Sequence, residues 1–236
     1  MRNWIIAGLF LCSAFSGIAS GAEAFGPRES KLIFDESRGE GSYKIENTGK
    51  KMPWLVQAWV EDASEKKTSV ISAVPMVFRV EPSSVFTVRL VKSGNIPADK
   101  ETLFWAVSNS LPGGAPGKQD KKQEGRVSAT LDLAYRFKVP LIYRPAALSK
   151  VSAEPEKLEW RANDKGGLTL HNPTRFVMQL HHIAAGTTTY KGKGVSFLLA
   201  PMTSAEVKAG IKRGTRIKYG VVNDYGAVKE YEGIVK

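Results

Sequence analysis

From residue 25 onward, apolar and polar side chains alternate in short runs, and no helical period outlasts a turn or two. A period of two belongs to strands, because successive side chains leave opposite faces of the backbone. Trp54, Val56, Ala58 and Val60 share one face of a run whose other face carries Leu55, Gln57 and Trp59. Phe86, Val88 and Leu90 repeat the pattern against Thr87 and Arg89, and Tyr43 and Ile45 alternate with polar neighbours. Residues 102–107 are almost wholly apolar, the mark of a strand covered on both faces. Turn formers punctuate these runs at Asn47-Thr48-Gly49, Glu81-Pro82-Ser83 and Ser93-Gly94-Asn95. Many short strands at such spacing predict an all-β sandwich.

Two sandwiches are expected. Residues 113–125 hold four glycines and a lysine-rich centre without an apolar side chain larger than alanine, so they read as a loop. The longest strand candidate follows at 127–143, with Leu131, Leu133, Tyr135, Phe137 and Val139 on one face and Thr130, Asp132, Ala134, Arg136 and Lys138 on the other. Arg144-Pro145-Ala146 then stops the strand, because proline cannot donate to a ladder. The pattern resumes at 167–171, 176–182, 195–199, 216–222 and 228–234. The boundary is expected near 144–150, giving domains at 25–145 and 146–236. Four tryptophans, Trp54, Trp59, Trp105 and Trp160, fall in strand contexts and read as core.

The first 24 residues read as an export signal. Arg2, an apolar stretch over 4–15 and the small-x-small end Ala22-Glu23-Ala24 predict cleavage after Ala24. The stretch is shorter than the ~20 residues a membrane span needs, so no membrane insertion is expected. Cys12 is the only cysteine, and cleavage leaves none, so the exported chain rests on packing instead of disulfides. A formal net charge of +11 invites nucleic acid, an anionic membrane surface or acidic proteins as partners. The lysines are scattered, however, and no zinc-finger spacing or RNA-binding signature accompanies them, so no nucleic acid is expected.

Catalytic chemistry finds little footing. Three histidines are present, and the adjacent pair His181-His182 should point to opposite faces of a strand, a poor chelate. There is no Gly-x-Ser-x-Gly elbow, no phosphate loop and no cysteine nucleophile after the signal. A binding protein without metal or cofactor is the expectation, not an enzyme.

At this point the sequence resembles the periplasmic pilus-chaperone family of the chaperone–usher pathway, across the whole chain after the signal. Ile96-Pro97-Ala98-Asp99-Lys100-Glu101-Thr102-Leu103-Phe104-Trp105 is similar to that family's Leu-Pro-x-Asp-Arg-Glu-Ser-Leu-Phe-Trp run. Leu141-Ile142-Tyr143-Arg144-Pro145-Ala146 looks like its strand-end motif. Asn172-Pro173-Thr174 and Val222-Asn223-Asp224-Tyr225-Gly226-Ala227 look like two of its second-domain motifs.

The resemblance implies two immunoglobulin-like β-sandwich domains in a boomerang arrangement, located in the periplasm, binding fimbrial subunits and delivering them to an outer-membrane usher. It implies donor-strand complementation, in which the chaperone lends its last first-domain strand to a subunit that lacks one. Leu131, Leu133, Tyr135 and Phe137 are the groove-filling side chains under this reading. The family also holds the subunit's terminal carboxylate with two basic residues. Lys31 matches the first; the second falls on Pro140, and Lys138, then Arg136, are the nearest substitutes. Glu101, Arg144 and Asp224 match the family's inter-domain charge cluster, which as an exposed group would contribute under ~1 kcal/mol. Self-association of the free chain stays open. The alternative from another class is an exported immunoglobulin-like adhesion or carbohydrate-binding module.

Overall fold

The computed structural model describes residues 23–113 and 134–236. Residues 1–22 of the expected export signal, most of the glycine–lysine loop, and Thr130, Leu131, Asp132 and Leu133 therefore lie outside the described residues. The described part is all-β, with three single-turn 3-10 segments.

Nine strands belong to the first half: β1 (Phe25–Pro27), β2 (Leu32–Asp35), β3 (Gly41–Asn47), β4 (Trp54–Asp62), β5 (Ile71–Val74), β6 (Val77–Val80), β7 (Ser84–Lys92), β8 (Thr102–Pro112) and β9 (Tyr135–Arg144). Eight follow: β10 (Glu159–Ala162), β11 (Leu168–Asn172), β12 (Met178–Ala185), β13 (Thr188–Lys191), β14 (Phe197–Leu199), β15 (Thr203–Val207), β16 (Arg216–Val222) and β17 (Val228–Ile234). The first sandwich packs β1-β3-β7-β5 against β2-β9-β8-β4-β6; the second packs β10-β11-β15 against β13-β12-β16-β17, with β14 also on β12.

The alternation seen in the sequence is what closes each core. Val56, Ala58 and Val60 from β4 meet Tyr43, Ile45, Val88 and Leu90 across the first sandwich, all at most 3% exposed. Burying a side chain such as Ile45 contributes about 1.5–3 kcal/mol. Trp160, Leu168, Leu170, Leu180 and Tyr219 do the same in the second sandwich. The strands that alternation did not announce include β1, β5, β6, β10, β13 and β15, each of three to five residues. Runs that short offer too few turns of the alternation to stand out.

One latch occurs twice. Buried Asn47, at the end of β3, donates from Nδ2 to the carbonyls of Met52, Val80 and Glu81 and accepts at Oδ1 from Gly49 N. Asn172, at the end of β11, donates to Phe176, Leu199 and Ala200 and accepts from Thr174 N. Each asparagine satisfies loop carbonyls that would otherwise be buried without a donor.

Candidate functional site

The position of β9 is the feature that matters. It pairs antiparallel with β8 along its length, from Thr102↔Tyr143 to Ser110↔Tyr135. On its other side β2 runs parallel and covers only Leu141 to Arg144. Over residues 135–140 that edge has no partner strand among the described residues. β1 lies close by but hydrogen-bonds to β3, in the opposite sheet. An uncovered edge presents backbone donors and acceptors ready for another strand. Pro140 removes one donor at its inner limit.

Side chains along this stretch split by parity. Phe137 packs on Phe25 (ring centroids 6.0 Å) and fills the space beside Gly26, where a Cβ would come within 3.0 Å of its ring. Tyr135, 40% exposed, leans on Trp54 at 5.2 Å. Of the four groove-filling candidates, Tyr135 is thus the described residue with most surface to offer, while Phe137 is engaged in its own sandwich. Leu131 and Leu133 precede them outside the described residues.

The other parity carries charge. Arg136 Nη2 donates to Glu61 Oε1 at 2.7 Å, and Lys138 Nζ lies 3.2 Å from Glu61 Oε2 and 2.9 Å from Glu65 Oε2. Glu61 comes from β4, two strands away, and is 3% exposed; the Trp59 indole N–H also donates to it, at 2.9 Å. Burial pushes the Glu61 carboxyl upward, but Trp59, Lys138 and Arg136 outweigh it and hold it below the ordinary carboxylate range. The Arg136 side chain stays 53% exposed and keeps donors for a partner, whereas Lys138 exposes its stem and has its Nζ buried against Glu61 and Glu65.

This outer face corrects the reading of two tryptophans. Trp59 and Trp105 are half-buried on the outside of the sheet, not in the core. Sequence parity had put Trp59 opposite Val56, and that face turns out to be the outer one. Neither ring is a bare platform: Lys67 stands 4.5 Å above Trp59, with Arg136 at 5.5 Å, and Lys138 stands 5.1 Å from Trp105.

At the other end of β9 the two sandwiches meet. Arg144 Nε donates to Glu101 Oε1 at 2.6 Å, and Nη1 and Nη2 reach Asp224 at 2.7 and 3.2 Å. Glu101 Oε2 accepts from Val177 N of the second half at 2.7 Å. Leu103, Ile142 and Val177 form a small apolar patch across the junction. The expectation of exposed charges needs correction here: the side chains of Glu101 and Arg144 are 1% and 12% exposed, and only Asp224 is open. Burial pushes the Glu101 carboxyl upward, opposed by Arg144 and the Val177 N–H.

Lys31, just before β2, reaches into the same junction. Its Nζ donates to the carbonyls of Asn223 at 2.6 Å and Val222 at 3.3 Å. Desolvation lowers its pKa, against the pull of Asp224 and Glu101. Lys31 is therefore grouped with Glu101, Arg144 and Asp224, while Lys138 and Arg136 are grouped with Glu61. Glu61 escaped sequence reasoning because its partners lie about 75 residues away, as the Arg136–Glu61 bond shows. The available signal was parity alone: Glu61 follows Trp59 on the outer face of β4.

Comparison with known proteins follows this geometry. The chain is 29% identical to the chaperone protein FocC of Escherichia coli, the match covering 100% of both chains. It is 29% identical to the uncharacterized fimbrial chaperone YbgP of Escherichia coli K12, over 86% of this chain and 83% of the other. Its fold matches the SafB chaperone of Salmonella enterica, solved in complex with the SafA pilin, with a TM-score of 0.73 at 22% identity over 92% and 99% of the two chains. Residues 24–149 match the model of the pili and flagellar-assembly chaperone PapD N-terminal domain, and residues 153–233 that of the pili assembly chaperone PapD C-terminal domain. The chain belongs to the pili assembly chaperone family, a family of chaperones and not of enzymes.

Proposed function

We propose that this chaperone works in the periplasm, captures fimbrial subunits on the uncovered edge of β9 and passes them to an outer-membrane usher. The observation that carries the reading is the open edge at residues 135–140, flanked by the basic side chains Arg136 and Lys138 on one face and apolar side chains on the other. Backbone pairing along that edge supplies affinity, and alternate side chains (Leu131, Leu133 and Tyr135) enter the subunit's groove. The division of the chain at about residue 145 leaves that strand as the last element of the first domain. The relation of SafB to the SafA pilin supports a pilin-type partner. No helix of the described residues is long and apolar enough to cross a membrane.

Under this reading the subunit's terminal carboxylate meets Lys31, and the second cation, displaced from Pro140, is Lys138 with Arg136 beside it. Lys31 places two of its three ammonium donors on the Val222 and Asn223 carbonyls, which leaves one for the carboxylate. The test is binding of a purified subunit to folded variants at two salt concentrations. Lys31→Ala should cost about 1.5–3 kcal/mol, the value of a charge-assisted hydrogen bond. Lys31→Arg should be tolerated. Leu133→Asp should abolish capture, and Thr130→Asp, on the opposite face, should do little. Normal binding by folded Leu133→Asp removes the donor-strand reading.

A further inference from the structure

Two adjacent histidines on one face of a strand are unexpected, and β12 has them. Met178, Leu180 and Ile183 are buried in the second core, which leaves two residues, not one, between the last inward pair. The register explains it: Leu180 pairs with Val221 and His182 with Gly220, so His181 is the extra residue of a β-bulge. The bulge brings His181 Nδ1 and His182 Nδ1 to 2.9 Å, correcting the expectation that the pair points apart. The His182 ring lies where a side chain at position 220 would be, since a Cβ on Gly220 would come within 2.4 Å of it. Glu230 Oε1 sits 3.3 Å from His182 Nε2, the far nitrogen of the ring. A carboxylate there favours the ring proton on Nε2, which leaves the lone pair on Nδ1, the nitrogen beside His181.

We propose that His181 and His182 form a two-nitrogen site for a divalent late-transition ion, independent of the subunit-binding reading. With metal–nitrogen bonds of about 2.0–2.1 Å, two nitrogens 2.9 Å apart subtend about 90° at the metal. That is a cis pair in a square-planar or tetragonal set, the preference of Cu²⁺ and Ni²⁺, and narrower than a tetrahedral Zn²⁺ site requires. The His181 side chain is exposed, so its ring has room to tilt about that contact and aim its lone pair at an ion held by the His182 ring. Among the described residues no third His, Cys, Asp or Glu completes the set, so the remaining positions are open to water or to a donor from a partner.

The experiment uses the tag-free chain and Cu²⁺ alone, read by titration calorimetry and electron paramagnetic resonance. One ion per chain with two equatorial nitrogens is expected. His181→Asn and His182→Asn should each abolish that signature, and Glu230→Gln should weaken affinity about tenfold. His171→Asn, in the opposite sheet of the same sandwich and bonded to Ser204, should change nothing. The two-nitrogen spectrum surviving in either His181→Asn or His182→Asn overturns the assignment, as does the absence of stoichiometric binding.

Discussion

Strand β9 carries the same device at both ends, a carboxylate at most 3% exposed that receives basic side chains, and the two ends behave differently. At the junction Arg144 spends its donors on Glu101 and Asp224 and is itself 12% exposed. On the outer face Glu61 is met by Lys138, whose Nζ is buried, and by Arg136, which remains open to solvent. In the first case the cation is consumed; in the second the anion is, and Arg136 has donors to spare. A charge cluster is a clamp or a docking point according to which partner keeps unsatisfied capacity.

The sharpest test of that contrast removes Arg144. Arg144→Ala leaves Glu101 buried without its charge, and urea unfolding of the full chain should show a loss of about 3–5 kcal/mol. Small-angle scattering should show the angle between the sandwiches loosened. The double change Glu101→Gln with Arg144→Met, which removes both charges, should recover much of that stability. A loss under about 1 kcal/mol for Arg144→Ala would make the junction behave like an exposed pair and erase the distinction.

Glu61→Gln should cost less, about 1 kcal/mol, because Arg136 turns to water and Lys138 keeps Glu65 when the carboxylate goes. The same two carboxyl positions separate on acidification. A carboxyl whose folded pKa is depressed stabilises the fold above its unfolded value of about 4.3 and loses that contribution as pH falls through the folded value. Glu61 is depressed, and Glu36, bonded by Lys92, Tyr143 and the Ala146 N–H, is held down at about 2. Glu61→Gln and Glu36→Gln should therefore flatten the acid loss of stability from about pH 4.3 downward. Glu101→Gln should not, because burial moves that carboxyl the other way. Smallest of all, Asp224→Asn, on the open limb, should shift unfolding by under about 1 kcal/mol. A larger shift would place Asp224 with the buried pair.

The sequence made the sandwiches legible because alternation is a local record of which face is wet. Residues 216–222 and 228–234 were read to the residue as β16 and β17. What it withheld was contact between distant segments. Glu101 looks like a surface acid until Val177 and Arg144 close over it. Parity put Trp59 on the correct face, yet only the absence of a covering layer decides that this face is outside. The bulge at His181 left a trace, two polar residues between Leu180 and Ile183 where period two allows one. Lys138 and Arg136 were legible as charges; their common carboxylate Glu61, two strands away, was not.

The half-covered edge of β9 also carries a stop. Strand residues advance about 3.3 Å each, so the six open positions described before β2 begins span roughly 20 Å. A segment adding to this edge and running toward Arg144 meets β2 at Leu141 and can pair no further. One end of an added strand is thereby set by backbone geometry before any side chain is compared.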